Sequence, residues 1–187
     1  MAADVLTVLA SRSPRRIELL TRAGVTVTVD PADIDESQFP GESATGYVSR
    51  MAASKLSAVV DRHHGATVIA ADTTVDLDGE ILGQPADDDD ARRILGQLSG
   101  RTHTVRTAVA VGHPDGTTAH CVVETLVTFR PLGARDISWY VATGEPAGKA
   151  GAYAVQGLGM ALVSSVRGSL SNVVGLPVGE TLALLGR

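Results

Sequence analysis

The chain has 187 residues, of which 44% are hydrophobic and 20% charged, with a net charge of −5 and one cysteine, Cys121. That length supports one sizeable core without covalent staples, and a lone thiol excludes an internal disulfide and a cysteine-clustered zinc site. Aromatic residues at 3% and the acidic balance argue against a nucleic-acid surface, which needs a basic face or stacking rings.

Val5 to Ala10 is a short, β-branched apolar run and predicts a buried strand. Ser11-Arg12-Ser13-Pro14 breaks it, with Ser13 placed to cap a helix and Pro14 at the first helical position. Ile17 and Leu20 give that helix an apolar stripe, and Ala23-Gly24 stops it. A second strand is expected over Val25–Val29, followed by an acidic loop with Asp33, Asp35 and Glu36. Ser43 opens a longer helix to about Val60, on which Val48, Ala52, Lys55 and Val59 share a face. Thr67–Leu77 reads as a strand, and Asp78-Gly79 signals a type I′ hairpin into Glu80–Leu82. Asp87–Asp90 starts a helix ending near Leu98, with Gly100 just past it. Strands over Thr102–Val111 and Thr117–Arg130 meet across His113–Gly116. A short helix at Asp136–Ala142, a strand at Met160–Val166 and a helix near Val178–Leu185 complete the chain. Helices alternating with strands and hairpins predict an α/β protein with a mixed rather than purely parallel sheet. No repeat or long linker divides it, so residues 1–187 are expected to form a single domain, with two lobes around a cleft.

Chemistry concentrates at a few points. Ser11-Arg12-Ser13-Pro14-Arg15-Arg16 lies between a strand and a helix start, where free backbone N–H groups favour an anion and arginines grip phosphate oxygens in pairs. The same pattern suits an ordinary capped, solvated helix start. No Walker lysine motif or G-x-G-x-x-G is present. Asp72 places a carboxylate inside the apolar run Val68–Val75, so it is either paired or set in a cleft with a task. Lys55 on an apolar helix face reads, taken alone, as a lysine that snorkels to solvent. Glu36, with Asp33 and Asp35, is either solvated or near enough to phosphates to help hold Mg²⁺. Gly148-Lys149 through Tyr153, Gln156 and Gly159 forms a glycine-rich stretch that suits either close ligand approach or a simple turn. Asp87–Asp90 reads as a helix start complementing its dipole. The five histidines show no ligand spacing and read as surface or strand residues.

Five blocks carry a family resemblance: Leu9-Ala-Ser-Arg-Ser-Pro-Arg-Arg-Ile-Glu-Leu-Leu20, Ala71-Asp-Thr-Thr-Val75, Leu98-Ser-Gly-Arg-Thr-His103, Lys149 through Gly159, and Ser171-Asn-Val-Val-Gly-Leu-Pro177. In order and over nearly the whole chain they resemble Maf proteins. The resemblance implies an inosine-triphosphatase-like α/β fold around a deep central cleft, with flanking helices on a mixed twisted sheet. It implies a homodimeric, metal-dependent nucleoside triphosphate pyrophosphatase, with Mg²⁺ or Mn²⁺ as cofactor and a house-cleaning role against non-standard nucleotides. By position, Asp72 would be the proton acceptor, and Ser11, Ser13, Arg15, Arg16, Lys55 and Lys149 would hold phosphates. Glu36 and Asp72 would take the metal. Arg15, Thr73 and Gln156 occupy the specificity positions of the branch that hydrolyses dTTP and UTP; the branch acting on 7-methyl-GTP has Trp, Gln and Glu there. One departure is Gln84, where the family usually has lysine after the hairpin; Arg12 is a variable position that adds a cation.

A triphosphate carries about four negative charges, so its hydrolysis requires cations and a positioned water. Asp72 is expected to orient or deprotonate that water, and Thr73 and Gln156 to read the pyrimidine edge. Two rival readings are a non-catalytic nucleotide sensor linked to cell division and a pyrophosphatase for damaged purine triphosphates. The opening residues carry an acid where a secretory signal needs a basic start, and no apolar run reaches the roughly 18–20 residues that span a bilayer. The expectation is a cytoplasmic protein with a nucleoside triphosphate substrate, no nucleic-acid partner and no membrane.

Overall fold

A computed structural model describes residues 6–187. Seven strands form one sheet in the order β2-β1-β3-β5-β6-β7, with β4 beside β3 off that path. β1 (Thr7–Leu9) runs parallel to β2 (Thr28–Val29) and to β3 (Thr67–Leu77), while β5 (Thr102–Gly112), β6 (Thr118–Phe129) and β7 (Val163–Arg167) are antiparallel neighbours. The sheet is mixed, as the alternation of elements predicts.

The pleat of β3 distributes its side chains. Val68 and Ala70 face α2 (Ala44–Val60), packing with Val48, Ala52, Leu56 and Val59. Ile69 and Ala71 face the other side, packing with Leu9, Leu20 of α1 (Pro14–Arg22) and Leu176, with Leu182 of α6 (Val178–Leu184) against them. A third cluster joins α3 (Asp88–Leu98) and α4 (Ala134–Ala142) to the far end of the sheet, through Leu95, Leu98, Phe129 and Tyr140. Period-two alternation then carries Asp72 to the α2 side and Thr73 to the α1 side.

β3 is longer than its neighbours on one edge. β1 pairs with Thr67–Ile69 and β4 (Glu80–Leu82) with Val75–Leu77, so among the described residues 70–74 have a strand only on the β5 side. At this fork the chain leaves β1 towards α1, and a cleft opens beside Asp72 and Thr73.

Local signals account for most boundaries. Ser13 Oγ accepts the Arg16 N–H at the start of α1, and Pro14 begins the helix. Asp87 Oδ1 accepts the Asp90 N–H at 2.8 Å, capping α3. Asp78 and Gly79 have φ of 53° and 92°, as a type I′ turn requires. Two strand expectations change. Of the run Val25–Val29 only Thr28–Val29 is strand, because the Val25 N–H closes the end of α1 on Leu20 O at 2.9 Å and its side chain enters the core. Met160 is not strand: a 3₁₀ turn covers Leu158–Leu162, and β7 starts only at Val163. A five-residue helix, α5 (Leu170–Val174), adds to the expected elements, its start capped by Ser169, whose side chain accepts the Asn172 N–H. Val5 lies outside the described residues. Among these no helix is long and apolar enough to cross a membrane.

Candidate active site

The cleft at the fork has a volume of about 380 Å³. It gathers Ser11, Ser13, Arg15, Arg16, Glu36, Lys55, Asp72, Thr73, Lys149 and Gln156, along with Arg12 and Gln84; Asp33 and Asp35, read beside Glu36 in the sequence, are not among its lining residues. Six segments supply them: the β1–α1 turn with the start of α1, the loop before α2, α2 itself, mid-β3, the stretch after β4 and the glycine-rich stretch.

On the α2 side, Lys55 Nζ donates to Asp72 Oδ1 at 2.7 Å and sits 2.8 Å from Glu36 Oε1. Lys55 does not reach solvent; it is buried, as is Asp72. Burial pushes the Asp72 carboxyl above the usual range, against the pull of Lys55 and Arg16. Lys55 occupies one carboxylate oxygen; the other, Oδ2, has no protein hydrogen bond among the described residues. A carboxylate with one oxygen anchored, one open to a cleft and a raised pKa is suited to taking a proton from water.

On the α1 side, Arg16 acts as a strut. Its Nε donates to Gly175 O at 2.8 Å, Nη1 to Ser11 Oγ at 3.1 Å and Nη2 to Thr73 Oγ1 at 3.1 Å. Thr73 Oγ1 also lies 2.9 Å from Thr107 Oγ1 and 3.2 Å from Gly175 O. The expectation that Thr73 reads a base with its hydroxyl therefore meets a group already committed to protein partners. Ser11 differs: its oxygen accepts from Ser13 N–H and Arg16, which fills its two acceptor positions and leaves its O–H to donate into the cleft.

Arg15 is half-buried and has no protein partner among the described residues, and burial lowers its pKa. Among the described residues Lys149 bonds only to Ala147 O, at 3.0 Å. Its pKa is lowered by burial and then by the nearby Arg15 guanidinium. Two cations that repel each other across open space make a place where an anion is favoured.

Glu36 and Gln156 are exposed at the rim, but their loops are fixed from behind. Tyr47 Oη donates to Glu36 O at 3.0 Å, and Arg50 donates to Ser37 O at 2.9 Å while pairing with Glu42. Tyr153, a wall of the cleft, lies 2.8 Å by its hydroxyl from Nε2 of buried His103. Burial pushes His103 down to about 4, so it is neutral, a strand residue of the interior rather than of the surface. Sequence patterns did not mark Tyr47, Arg50 or Thr107, because their partners lie on other elements.

Among the described residues no group of three or more His, Cys, Asp or Glu could cage a metal. Glu36 and Asp72 both reach Lys55 Nζ and so supply two neighbouring carboxylates. That donor set fits Mg²⁺, which takes one or two carboxylates and completes its shell with water and phosphate oxygens.

Residues 7–187 match the protein family described as Maf-like protein. The chain belongs to that family. A Myxococcus xanthus protein named dTTP/UTP pyrophosphatase is 54% identical over 186 residues, covering 100% of this chain and 94% of that relative. Proteins of the same name from Anaeromyxobacter and Shewanella denitrificans are 55% and 52% identical, covering 96% and 95% of this Maf-like chain and 88% and 93% of the relatives. Among solved structures, the Staphylococcus aureus Ham1 protein is 18% identical, with a TM-score of 0.49 over 66% of this chain and 71% of that one.

Proposed function

We propose that this Maf-like protein is a nucleoside triphosphate pyrophosphatase that hydrolyses dTTP and UTP to the monophosphate and pyrophosphate. The observation that carries the reading is the division of charge in one cleft: Arg15 and Lys149, cations with no carboxylate partner among the described residues, oppose a buried carboxylate with one open oxygen. Relatives named dTTP/UTP pyrophosphatase, above half identical over nearly the full chain, support the pyrimidine preference.

The reaction needs a nucleophile, a proton acceptor and charge compensation. Water attacks the α-phosphorus, its proton passes to Asp72 Oδ2, and the bond from the α-phosphorus to the bridging oxygen breaks, releasing pyrophosphate. Lys55 holds Asp72 in place through Oδ1. Arg15, Lys149 and the Ser11 O–H bind phosphate oxygens, with Ser13 and Arg12 at the same turn. Arg16 contributes charge from beneath while bracing Ser11 and Thr73. A divalent cation, Mg²⁺ or Mn²⁺, held by Glu36, Asp72 and phosphate oxygens would supply neutralisation of the developing negative charge. Gln156, exposed at the rim, offers both an amide donor and an acceptor to a pyrimidine edge. Gln84 lines the cleft without a charge, so phosphate binding rests on the remaining cations.

The reading includes a homodimer and a cytoplasmic location, on the family resemblance and the lone Cys121. Pyrophosphate release from dTTP, UTP, 7-methyl-GTP and inosine triphosphate, each with Mg²⁺ or Mn²⁺, tests the function. The first two are expected to be turned over fastest; binding without release, or preference for inosine triphosphate, contradicts it.

A further inference from the structure

Behind the rim that carries Gln156, α4 ends in a turn at which Tyr140 and Glu145 form a hydrogen-bonded pair, Tyr140 Oη donating to Glu145 Oε1 at 2.7 Å. Neither residue lines the cleft. Each reaches one end of the same short loop. The Tyr140 hydroxyl oxygen accepts the Ala154 N–H at 3.0 Å. The Glu145 carboxylate accepts the Leu158 and Gly159 N–H groups, both at 2.9 Å. Four hydrogen bonds thus close a bracket over residues 154–159, with Gln156 near its middle.

The loop is shaped to admit this bracket. A Cβ at Gly157 would overlap the Glu145 carboxylate, and one at Gly159 would stand 2.7 Å from both Tyr140 Oη and Ala154 O. Tyr140 is fully buried and fixed among Leu98, Phe129 and Leu162, so the bracket is anchored in the core rather than on another loop. Burial raises the Glu145 carboxyl, yet the bonds from Gly159, Tyr140 and Leu158 hold it below its ordinary value. It stays ionised at neutral pH and accepts all three donors. Without the pair, three N–H groups and a side chain at the mouth of the cleft lose their fixed positions.

We infer that Tyr140 and Glu145 are positioning residues for base selection: they hold the loop in the one shape that presents the Gln156 amide to the nucleobase. The inference rests on the reading that this cleft hydrolyses pyrimidine triphosphates. Neither side chain touches substrate, so their loss acts through Gln156. It raises the KM for dTTP and UTP more than it lowers kcat.

The test is a double-mutant cycle on selectivity, read as kcat/KM for dTTP over that for dCTP. Tyr140→Phe keeps the ring and removes one hydroxyl. Glu145→Gln keeps the shape but turns an amide N–H₂ towards groups that themselves donate. Each is expected to reduce selectivity by about tenfold, mainly through KM. In a Gln156→Ala background neither is expected to reduce it further. Should Glu145→Gln fail to fold, Tyr140→Phe alone completes the cycle. Unchanged selectivity, or an equal reduction with and without Gln156, overturns the inference. Amide hydrogen exchange at Ala154, Leu158 and Gly159 keeps the two layers apart. Wild-type protein that hydrolyses neither dTTP nor UTP overturns the function and the base-selection role together, while faster exchange in the variants still supports the bracket and unchanged exchange overturns it.

Discussion

On the floor of the cleft, side chains from distant elements lock directly onto one another: Arg16 bonds to the backbone 159 positions away at Gly175 and to Thr73 on the central strand. On the rim, Glu36 and Gln156 are exposed, with one Glu36 oxygen reaching inward to Lys55, and they ride loops braced from behind, one by Tyr47 and Arg50, the other by Tyr140 and Glu145. The floor spends its polar groups on its own architecture, so its residues serve fold and chemistry together. The rim keeps its side chains open to ligand and places the cost of order one step back. Substitutions on the floor should therefore be felt in stability, and those on the rim in KM, selectivity or metal requirement.

The largest stability effect expected is from Lys55→Met. It leaves Asp72 as a buried charge without its partner, and removing one member of such a pair costs about 3–5 kcal/mol. Asp72 already titrates above the usual carboxylate range, and without Lys55 it does so further. A group whose folded pKa is raised loses its contribution as pH rises through that value. Urea unfolding should thus show a greater deficit at pH 8 than at pH 5; a pH-independent deficit breaks the assignment.

Next is His103, behind Tyr153 of the cleft wall, which burial holds neutral by pushing it down to about 4. The unfolded chain binds a proton there before the folded one does. Its contribution is present above the unfolded pKa and lost as pH falls towards about 4, a change of roughly 3 kcal/mol. His103→Gln should remove that part of the acid sensitivity, measured as the difference between the two stability–pH curves.

The smallest stability effect belongs to the rim. Glu36 is half-exposed, with a side-chain accessibility of 51% in its contact with Lys55, so Glu36→Gln should cost less than about 1 kcal/mol. It should nevertheless raise the Mg²⁺ concentration for half-maximal activity by about tenfold. A loss of stability without a change in metal requirement would place Glu36 with the floor and erase the distinction.

What could be read in advance follows the range of the interactions. Ser13-Pro14, Asp78-Gly79 and Asp87 mark boundaries because caps and I′ turns are decided within four residues. Asp72 and Lys55 stood out because a charge in an apolar pattern is anomalous wherever its partner lies, although only the fold shows that each answers the other. Val25 and Met160 have strand-compatible neighbours, but a helix-closing hydrogen bond and glycines at Gly157 and Gly159 override that preference. α5 spans five residues, too few for a helical period to show. The bracing role of Arg16 is not legible beside its place in the phosphate turn, because its partners Thr73 and Gly175 lie on β3 and after α5. The bracket behind Gln156 was invisible for the same reason: its four bonds are specified by fold, not by spacing.

In the proposed reaction Asp72 takes the proton of a water that attacks the α-phosphorus. Turnover of dTTP in ¹⁸O-labelled water, with products resolved by mass, tests it most directly. The label is expected in the monophosphate and none in pyrophosphate, and Asp72→Asn is expected to slow this reaction by about 10³-fold while remaining folded. Label in the pyrophosphate, or an Asp72→Asn variant with near-wild-type turnover, would contradict the account.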